Sequence, residues 1–536
     1  MSTLLLYKCL SRRFLKVFLL GVISGLATFH VAAQAVVANT AAGQFEGDHL
    51  GTINRFLGIP YAAAPVGDLR WKAPAAPKAE TGLTGAHHFK SPCMQIGGLY
   101  GTSDASKFGQ VIGSEDCLYL NIWALANAKS RPVLVFIHGG AGVAGAGSLN
   151  LYDGAHFAEK ADAVYVTINY RLGVFGGYRL PALADGSALD DSGDYALLDI
   201  IQALKWVRQN IAGFGGDGTN ITLAGQSSGC ISIHALLESP VAKGTFQKAV
   251  CMSGVEAHTT RDVAAKDAAG LVANLLLTDG LISNYNDASA YIQKTGNAAI
   301  RSYLLGKNSA QLLTAANRPI PGRWIGTAKL PADLAIMDGT VIPLSADGKA
   351  APPIVNVVPT IVSTVKNETE WPLFFSLTAH NLTSRQFWTY DQNDPRSLPS
   401  SSALIPVFNR LVYRSLTLVV DPAMGLFVDY LTSKMAETNP AVYRSEFEWQ
   451  SYPGPWAGLF GAFHGLDVCF NFDSFVQNQP NLLNFVAPSS SRQTLSDKMV
   501  ASIRGFMETG NPNKYLGQYG LYWPAWSQGH KRLSWE

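Results

Sequence analysis

ITLAGQSSGCISIHALL, residues 221–237, runs from an apolar segment through a glycine–serine turn into a pattern typical of a helix. The first five residues are short, apolar and partly β-branched, which predicts a buried strand. Gly225 and Gly229 lie two residues on either side of Ser227, and the absence of their side chains allows a sharp turn from strand to helix. Such an elbow lifts the serine oxygen clear of a sheet, and the N-terminus of the next helix favours negative charge nearby. The stretch therefore predicts a strand–turn–helix unit with Ser227 at its corner.

Short apolar runs alternate with helical patterns along the rest of the chain. Residues 196–211 carry apolar side chains at helical spacing, and the run GFGGDG follows as a helix breaker. This alternation predicts an α/β fold with a mostly parallel sheet and helices on both faces. The candidate strands are 134–137, 163–168, 221–225, 248–252 and 358–363.

Two less regular intervals, about 255–345 and 372–445, interrupt the alternation and contain helical pieces such as 262–277. Insertions at one end of the sheet of an α/β protein commonly build a cap over its site. Extra packing helices with no role at a site are an equally valid interpretation of any single piece.

Residues 1–35 have the order of a secretory signal: four basic residues, an apolar run over about 17–29, then small residues. The run is short for a membrane span, although an uncleaved anchor remains the alternative. We expect export to the periplasm or the extracellular space, with residues 36–536 forming a single domain that has no membrane span. The four basic residues are Lys8, Arg12, Arg13 and Lys16.

Composition and charge exclude several classes of protein. The 536 residues are 47 % apolar and 15 % charged, which predicts a large core and little disorder. Without residues 1–35 the formal net charge falls by four, from +2 to −2, because that segment holds no acidic residue. We therefore predict no nucleic-acid partner.

Several segments carry signatures of a known family. FGGDGTNITLAGQSSG (214–229) and EDCLYLNIW (115–123) are similar to the two signatures of the type-B carboxylesterase/lipase family, which includes cholinesterases. The resemblance implies an α/β-hydrolase fold: a central, mostly parallel sheet flanked by helices, with an N-terminal β-hairpin region and helical cap insertions. Further matches lie at 56–71, 169–177, 337–343 and 508–513.

The resemblance also implies a reaction and the residues that perform it. A serine hydroxyl needs a base, and the base needs an orienting carboxylate. In this fold the order along the chain is serine, acid, histidine. His464 in GAFHGLDVCF resembles the family's catalytic histidine and follows a strand-like stretch at 447–453. Glu368 aligns with the catalytic acid, and Glu370, two residues further on, is the alternative.

Backbone N–H groups should stabilise the oxyanion that forms during acyl transfer. The loop HGGAGVAGAG, 138–147, resembles the family's oxyanion-hole loop. The match implies the N–H groups of Gly140 and Ala141, with that of Ser228 as the third donor.

Six cysteines are present, and Cys9 would leave with the signal. Cys93 and Cys117 resemble the family's N-terminal disulfide. Buried free thiols are expected for Cys230, Cys251 and Cys469, with one bridge among them as the alternative. No C-x-x-C spacing occurs and the histidines do not cluster with the cysteines, so we predict no zinc site and no other cofactor.

The leading hypothesis is an exported serine hydrolase that acts on small carboxylic esters. The alternatives are a lipase acting on long-chain acylglycerols and a non-catalytic binding or adhesion member of the same family. The aromatic residues Trp456, Phe460 and Phe463 are compatible with either a pocket lining or ordinary core packing. Gln226 stands where many relatives carry glutamate, so a buried negative charge is missing beside the site, which should alter the electrostatics around His464.

Overall fold

The computed structural model describes residues 34–78, 81–318, 335–345, 351–369, 407–452, 456–475 and 488–536. Most strands of this part of the chain join one sheet of twelve strands. The strands are β1 Gln34–Thr40, β2 Gly43–Leu50, β3 Ile53–Pro60, β4 Leu83–Gly85, β5 Gln95–Ile96, β6 Val111–Ile112, β7 Tyr119–Leu125, β8 Arg131–Ile137, β9 Val164–Ile168, β10 Gly216–Gln226, β11 Lys248–Met252, β12 Thr259–Thr260, β13 Ile336–Met337, β14 Thr360–Val365, β15 Val442–Phe447 and β16 Leu533–Trp535.

The α-helices of the same residues are α1 Ala155–Ala161, α2 Gly173–Gly176, α3 Tyr195–Asn210, α4 Ser228–Glu238, α5 Arg261–Thr278, α6 Ala288–Thr295, α7 Asn297–Leu305, α8 Ser309–Ala316, α9 Val407–Ala436, α10 Trp456–Phe460, α11 Asp467–Phe472 and α12 Ser490–Thr509. Short 3₁₀ helices lie at Gly67–Leu69, Ala105–Lys107, Asn150–Tyr152, Pro181–Leu183, Ile211–Phe214, Pro240–Ala242, Tyr285–Asp287, Pro512–Lys514 and Leu516–Tyr519.

The order of the strands confirms the predicted mostly parallel sheet. Its strands follow the order β1-β2-β3-β7-β9-β8-β10-β11-β14-β15-β16, with β4 beside β2. All pairs from β9 to β16 along this path are parallel, whereas β2–β3, β3–β7 and β7–β9 are antiparallel. The hairpin of β2 and β3 is the expected N-terminal β-hairpin region. The described residues between Val36 and Glu536 form one compact unit.

Side chains alternate between two cores on the two faces of the sheet. On β8, Val133, Val135 and Ile137 pack in one apolar cluster and Leu134 and Phe136 in the other, all fully buried. Helices α3 and α4 contribute to the first cluster, and α1, α11 and α12 to the second. Burial on both faces explains why the predicted strands are continuous apolar runs, and each such side chain contributes about 1.5–3 kcal/mol.

The strand-like stretch at 447–453 is the one strand prediction that is wrong. β15 is Val442–Phe447, so the strand ends where that stretch begins. Its register pairs Val365 with Phe447, and Val365 is the last residue of β14. β14 therefore ends opposite Phe447, and the chain leaves the sheet after Glu448, whose N–H still donates to the carbonyl of Trp535 on β16.

The two irregular intervals contain helices. In the first, α5 to α8 share a third apolar cluster with side chains such as Trp71 and Tyr178. In the second, α9 includes Leu411–Ala436, which among the described residues is the one segment long and apolar enough to cross a membrane by length and composition alone. Whether these intervals act as a cap stays a prediction.

Candidate active site

The predicted strand–turn–helix unit places Ser227 between β10 and α4. Ser227 has φ 57° and ψ −122°, and its N–H donates to the carbonyl of Met252 on β11 at 2.8 Å. A Cβ atom on Gly225 would lie 2.6 Å from the carbonyl carbon of Gly229. Glycine is therefore required at 225 for the close approach of strand and helix. Ser227 is a non-glycine residue with a positive φ, which is a strained conformation. Such strain is typical of functional sites.

His464 and Glu368 meet at the carboxyl edge of the sheet. His464 Nδ1 lies 2.6 Å from Glu368 Oε2, and Glu368 Oε1 accepts the N–H of Val365 at 3.0 Å. Both carboxylate oxygens thus have a partner, which fixes the orientation of the carboxylate. Glu370, the alternative acid, lies outside the described residues.

Asn367 joins the loop of Glu368 to the loop of His464 through hydrogen bonds. Its N–H donates to the carbonyl of Ala462 at 3.0 Å, and its Oδ1 accepts the N–H of Ala462 at 2.9 Å. A Cβ atom on Gly461, whose φ is +56°, would overlap the Asn367 amide, so only glycine fits there. These bonds keep Glu368 and His464 next to each other, although 96 residues separate them in the sequence.

Two acidic side chains around His464 raise its pKa. Burial alone would lower the pKa of His464, but the hydrogen bond and charge of Glu368, with the charge of Asp467, raise it. Asp467 is buried at the start of α11 and its Oδ1 has no hydrogen-bond partner among the described residues. Burial and the charge of Glu368 raise the pKa of Asp467 to about 7, against the opposing effect of His464.

Asp467→Asn is expected to remove a pH dependence of stability. The folded-state pKa of Asp467, about 7, lies above its ordinary value of 3.8, so the folded protein binds this proton more tightly than the unfolded chain. The resulting stability is complete below pH 4 and is lost as pH rises through 7, by roughly 4 kcal/mol at most. Asparagine stays neutral, so we expect the variant to unfold at higher urea concentration than the parent at pH 8, and at a similar one at pH 4.5.

The matched control for this measurement is Asp68→Asn, because Asp68 is exposed. It should leave the difference between the two pH values as in the parent. If the urea midpoint of Asp467→Asn differed from that of the parent by the same amount at both pH values, the expectation would be contradicted.

The loop 138–147 lies against the elbow. Gly140 has φ +113° and Ala141 φ +56°, and neither N–H donates to any other described residue. A Cβ atom on Gly139 would lie 3.1 Å from the Cβ of Ser227. Two free N–H donors next to a serine and a helix N-terminus form a geometry that can stabilise an oxyanion. Ser228, the residue after the elbow, begins α4.

Gln95 supports this loop from the N-terminal part of the chain. Its side chain is fully buried, its Oε1 accepts the N–H of Gly145 at 2.9 Å, and its Nε2 donates to the carbonyls of Gly145 and Cys93. The Cys93–Cys117 disulfide, with a Cα–Cα distance of 5.0 Å, lies next to it. The bridge therefore anchors the segment that holds the loop.

A cavity of about 530 Å³ opens beside Ser227, Glu368 and His464. This volume suits a small organic molecule. Phe460 and Phe463 are fully buried in the core and do not line it, which decides between their two interpretations. Among the described residues, its apolar lining includes Ile231, Val255, Leu416, Val420, Met424 and Val428, the last four from α9.

Asp421 ties helix α9 to the loop that contains Glu368. Asp421 Oδ1 accepts hydrogen bonds from the N–H and the hydroxyl of Thr369, at 2.9 and 2.6 Å. Thr369 directly follows Glu368. The wall of the cavity that α9 forms is therefore fixed to the loop of Glu368.

The expectation of free thiols is wrong for two of the three remaining cysteines, and the alternative of one bridge among them is confirmed. Cys230 and Cys251 form a disulfide with a Cα–Cα distance of 4.7 Å, and Cys469 is free and buried. Cys230 lies in the first turn of α4, and the register of β10 with β11 places Cys251 opposite Gly225, below that turn. The spacing of the two cysteines carries no sign of this contact, because the sheet register brings them together.

Two groups of side chains in the described part of the chain have the composition of metal ligands. Cys230, His234 and Cys251 form one, but its two sulfur atoms are joined in the disulfide. Glu238, Glu256 and His258 form the other, in which His258 Nε2 lies 2.5 Å from Glu238 Oε2. This contact is a hydrogen-bonded ion pair that ties the segment after β11 to the end of α4.

The sequence interpretation missed Gln95, Asp467 and the hydrogen bond between the Gln226 side chain and His464. The Gln226 Nε2 atom lies 3.0 Å from His464 Nε2. An acidic residue in the otherwise apolar stretch after His464 was the available signal for Asp467. No local signal marks Gln95, because its partners lie up to 50 residues away.

The chain is similar to known proteins in sequence and in fold. A family model described as "Carboxylesterase family" matches residues 34–405. Para-nitrobenzyl esterase of Bacillus subtilis (strain 168) is 40 % identical over 255 residues, which cover 47 % of this chain and 51 % of that protein. Fumonisin B1 esterase of Sphingopyxis macrogoltabida is 39 % identical over 254 residues, 46 % of each chain. The matched part thus spans about half the length of these two relatives.

Longer matches cover most of the chain. Cocaine esterase of Homo sapiens is 29 % identical over 509 residues, which cover 90 % of this chain and 83 % of that protein. A solved structure of a PNB esterase has a TM-score of 0.66 at 26 % identity, covering 93 % of this chain and 95 % of its own. The carboxylesterase EST55 of Geobacillus stearothermophilus at pH 6.8 also has a TM-score of 0.66, at 28 % identity, covering 93 % and 96 %.

Proposed function

The chain belongs to the carboxylesterase family, and from this premise we propose that it is an exported serine hydrolase that cleaves carboxylic esters through an acyl-enzyme. The observation that carries the proposal is the pair of His464 Nδ1 and Glu368 Oε2, 2.6 Å apart, at a cavity that Ser227 also lines. A base oriented by a carboxylate beside a serine on a strand–helix elbow is the arrangement that activates a hydroxyl.

The proposed cycle begins when Ser227 Oγ attacks the ester carbonyl. His464 takes the serine proton at Nε2, while Glu368 stabilises the imidazolium at Nδ1. The N–H groups of Gly140, Ala141 and Ser228 donate to the oxyanion. His464 then protonates the departing alcohol, and a water molecule activated by the same histidine hydrolyses the acyl-enzyme.

The lining of the cavity supports a small ester with an apolar group as the substrate. Its aliphatic walls offer burial to one side of the ester, and about 530 Å³ limits the size of that side. By their names, the relatives named above act on chemically different esters. Sequence identity to them therefore does not indicate which ester this chain cleaves. Two disulfides in the described residues support an oxidising compartment, as expected of an exported chain.

A lipase is the second candidate. Leu418 and Leu426 on α9 are 78 % and 67 % exposed, and other side chains of the same helix line the cavity. An apolar surface next to the cavity would suit substrate in an aggregated state. A rise of activity above the solubility limit of a long-chain acylglycerol would favour the lipase, and activity on monomeric short esters alone would favour the esterase.

Labelling by a p-nitrophenyl phosphonate tests the proposal directly. We expect one phosphonyl group per chain, found by mass spectrometry on the peptide that contains Ser227, because His464 and the oxyanion loop activate that hydroxyl only. Protein denatured in urea before the reagent is added is the control and should stay unlabelled. Labelling of a different serine, or none in the folded protein, would refute the proposal.

A panel of p-nitrophenyl esters of increasing acyl length then reports the substrate class. A loss of kcat/KM beyond a certain acyl length would give the depth of the cavity in methylene groups, each worth about 0.8 kcal/mol when buried.

A further inference from the structure

The carboxamide of Gln226 occupies the position on His464 that a nucleophile needs. Gln226 Nε2 lies 3.0 Å from His464 Nε2, and the side chain is 4 % exposed. Glycines pack on both sides of it: a Cβ atom on Gly139 would lie 2.6 Å from Gln226 Oε1, and one on Gly465 would lie 3.5 Å from Nε2. The carboxamide is thus held in a narrow slot between the oxyanion loop and the histidine loop.

The hydrogen bond between Glu368 and His464 Nδ1 determines that Nε2 is the acceptor nitrogen of the neutral ring. Because Nδ1 donates its hydrogen to Glu368 Oε2, the neutral ring carries a lone pair on Nε2. Gln226 Nε2 carries two hydrogens and donates one to this lone pair. Among the hydrogen bonds of the described residues, Gln226 is the partner of His464 Nε2, and none joins that nitrogen to Ser227 Oγ.

We propose that Gln226 is a positioning residue that holds His464 in its resting state by competing with Ser227 for the lone pair on Nε2. The proposal rests on the role of His464 as the base in the proposed function. One lone pair accepts one well-aligned hydrogen bond, so the bond from Gln226 must break before His464 takes the proton of Ser227. The active arrangement therefore forms when substrate displaces the carboxamide or the carboxamide turns.

Once His464 is protonated, Gln226 must accept a hydrogen bond from Nε2 instead of donating one. The imidazolium has a hydrogen on Nε2, and two N–H donors cannot bond to each other. A half-turn of the carboxamide presents Oε1, which accepts that hydrogen. Glutamine can thus bond both forms of His464, whereas glutamate would favour the imidazolium alone. The titratable groups that act on His464 are Glu368 at Nδ1 and Asp467 at the start of α11.

The test measures the rate at which a p-nitrophenyl phosphonate labels Ser227 between pH 5 and 9, in the parent, in Gln226→Met and in Gln226→Glu. In Gln226→Met the competing donor is absent, so the plateau rate at high pH should rise by about 2- to 10-fold. In Gln226→Glu a carboxylate beside Nε2 should move the midpoint of the profile upward by about 1 to 3 pH units. A merely structural role would leave the plateau of Gln226→Met at or below that of the parent, whereas the midpoint of Gln226→Glu tests that residue 226 faces His464 Nε2.

A plateau in Gln226→Met equal to or below that of the parent would overturn the proposal, as would a midpoint of Gln226→Glu within half a unit of the parent. Should Gln226→Met fail to fold by circular dichroism, Gln226→Leu, which also lacks a hydrogen-bond donor, takes its place. Gln247→Glu is the control for charge and should match the parent. Gln247 Oε1 accepts the N–H of Ile221 at the opposite end of the strands, as a carboxylate also can.

The same experiment separates the two proposals. Absence of labelling in the parent would refute the proposed function. Labelling of Ser227 in the parent with superimposable profiles in both variants would refute only the role of Gln226.

Discussion

Ser227→Ala is expected to lower kcat/KM for a p-nitrophenyl ester by about 10⁴-fold or more. The variant keeps the elbow, because alanine fills the same space, but it lacks the oxygen that forms the acyl-enzyme. Residual catalysis would come from binding and from the N–H donors of the loop 138–147, which remain in place. The substrate should still bind, so the loss should appear in kcat and leave KM within a few fold.

The matched control is Ser232→Ala. Ser232 lies one turn further along α4, is buried, and donates from Oγ to the carbonyl of Ser228 at 3.1 Å. Its loss should cost about 1 kcal/mol of stability and little activity. A Ser227→Ala protein with more than a tenth of the parental kcat would exclude Ser227 as the nucleophile.

The parts of the fold that could be predicted are those with a local signal. The strands 134–137, 163–168 and 248–252 are continuous apolar runs because both faces of the sheet are covered, and such runs need no knowledge of their neighbours. The elbow at Ser227 could also be predicted from the sequence, because Gly225 and Gly229 lie where a Cβ atom would overlap neighbouring backbone.

The parts that escaped prediction depend on register and on contacts between distant segments. Cys230 and Cys251 pair because β10 and β11 are aligned so that Cys251 faces the first turn of α4. The Gln226 carboxamide reaches His464 across 238 residues. A single sequence gives the residue types at such contacts but not the pairing, which is set by how the strands align.

The choice between Glu368 and Glu370 as the acid can be settled by two matched variants. We expect Glu368→Gln to lower kcat by about 10³- to 10⁴-fold and Glu370→Gln to change it by less than about threefold. The measurement is kcat on the same ester at the pH optimum of the parent. The reverse pattern would assign the acid to Glu370.

The geometry explains why an amide at 368 should be so harmful. Oε1 of residue 368 accepts the N–H of Val365 at 3.0 Å, and this bond would hold the oxygen of a glutamine in the same place. The amide nitrogen would then face His464 Nδ1, which Glu368 Oε2 now meets at 2.6 Å. An N–H donor at that position requires a lone pair on Nδ1, so the ring hydrogen moves to Nε2, the atom that must accept the proton of Ser227. Glu368→Gln therefore keeps the shape of the site and inverts the tautomer of its base, and Glu368→Asp, which restores an acceptor at a greater distance, should recover part of the loss.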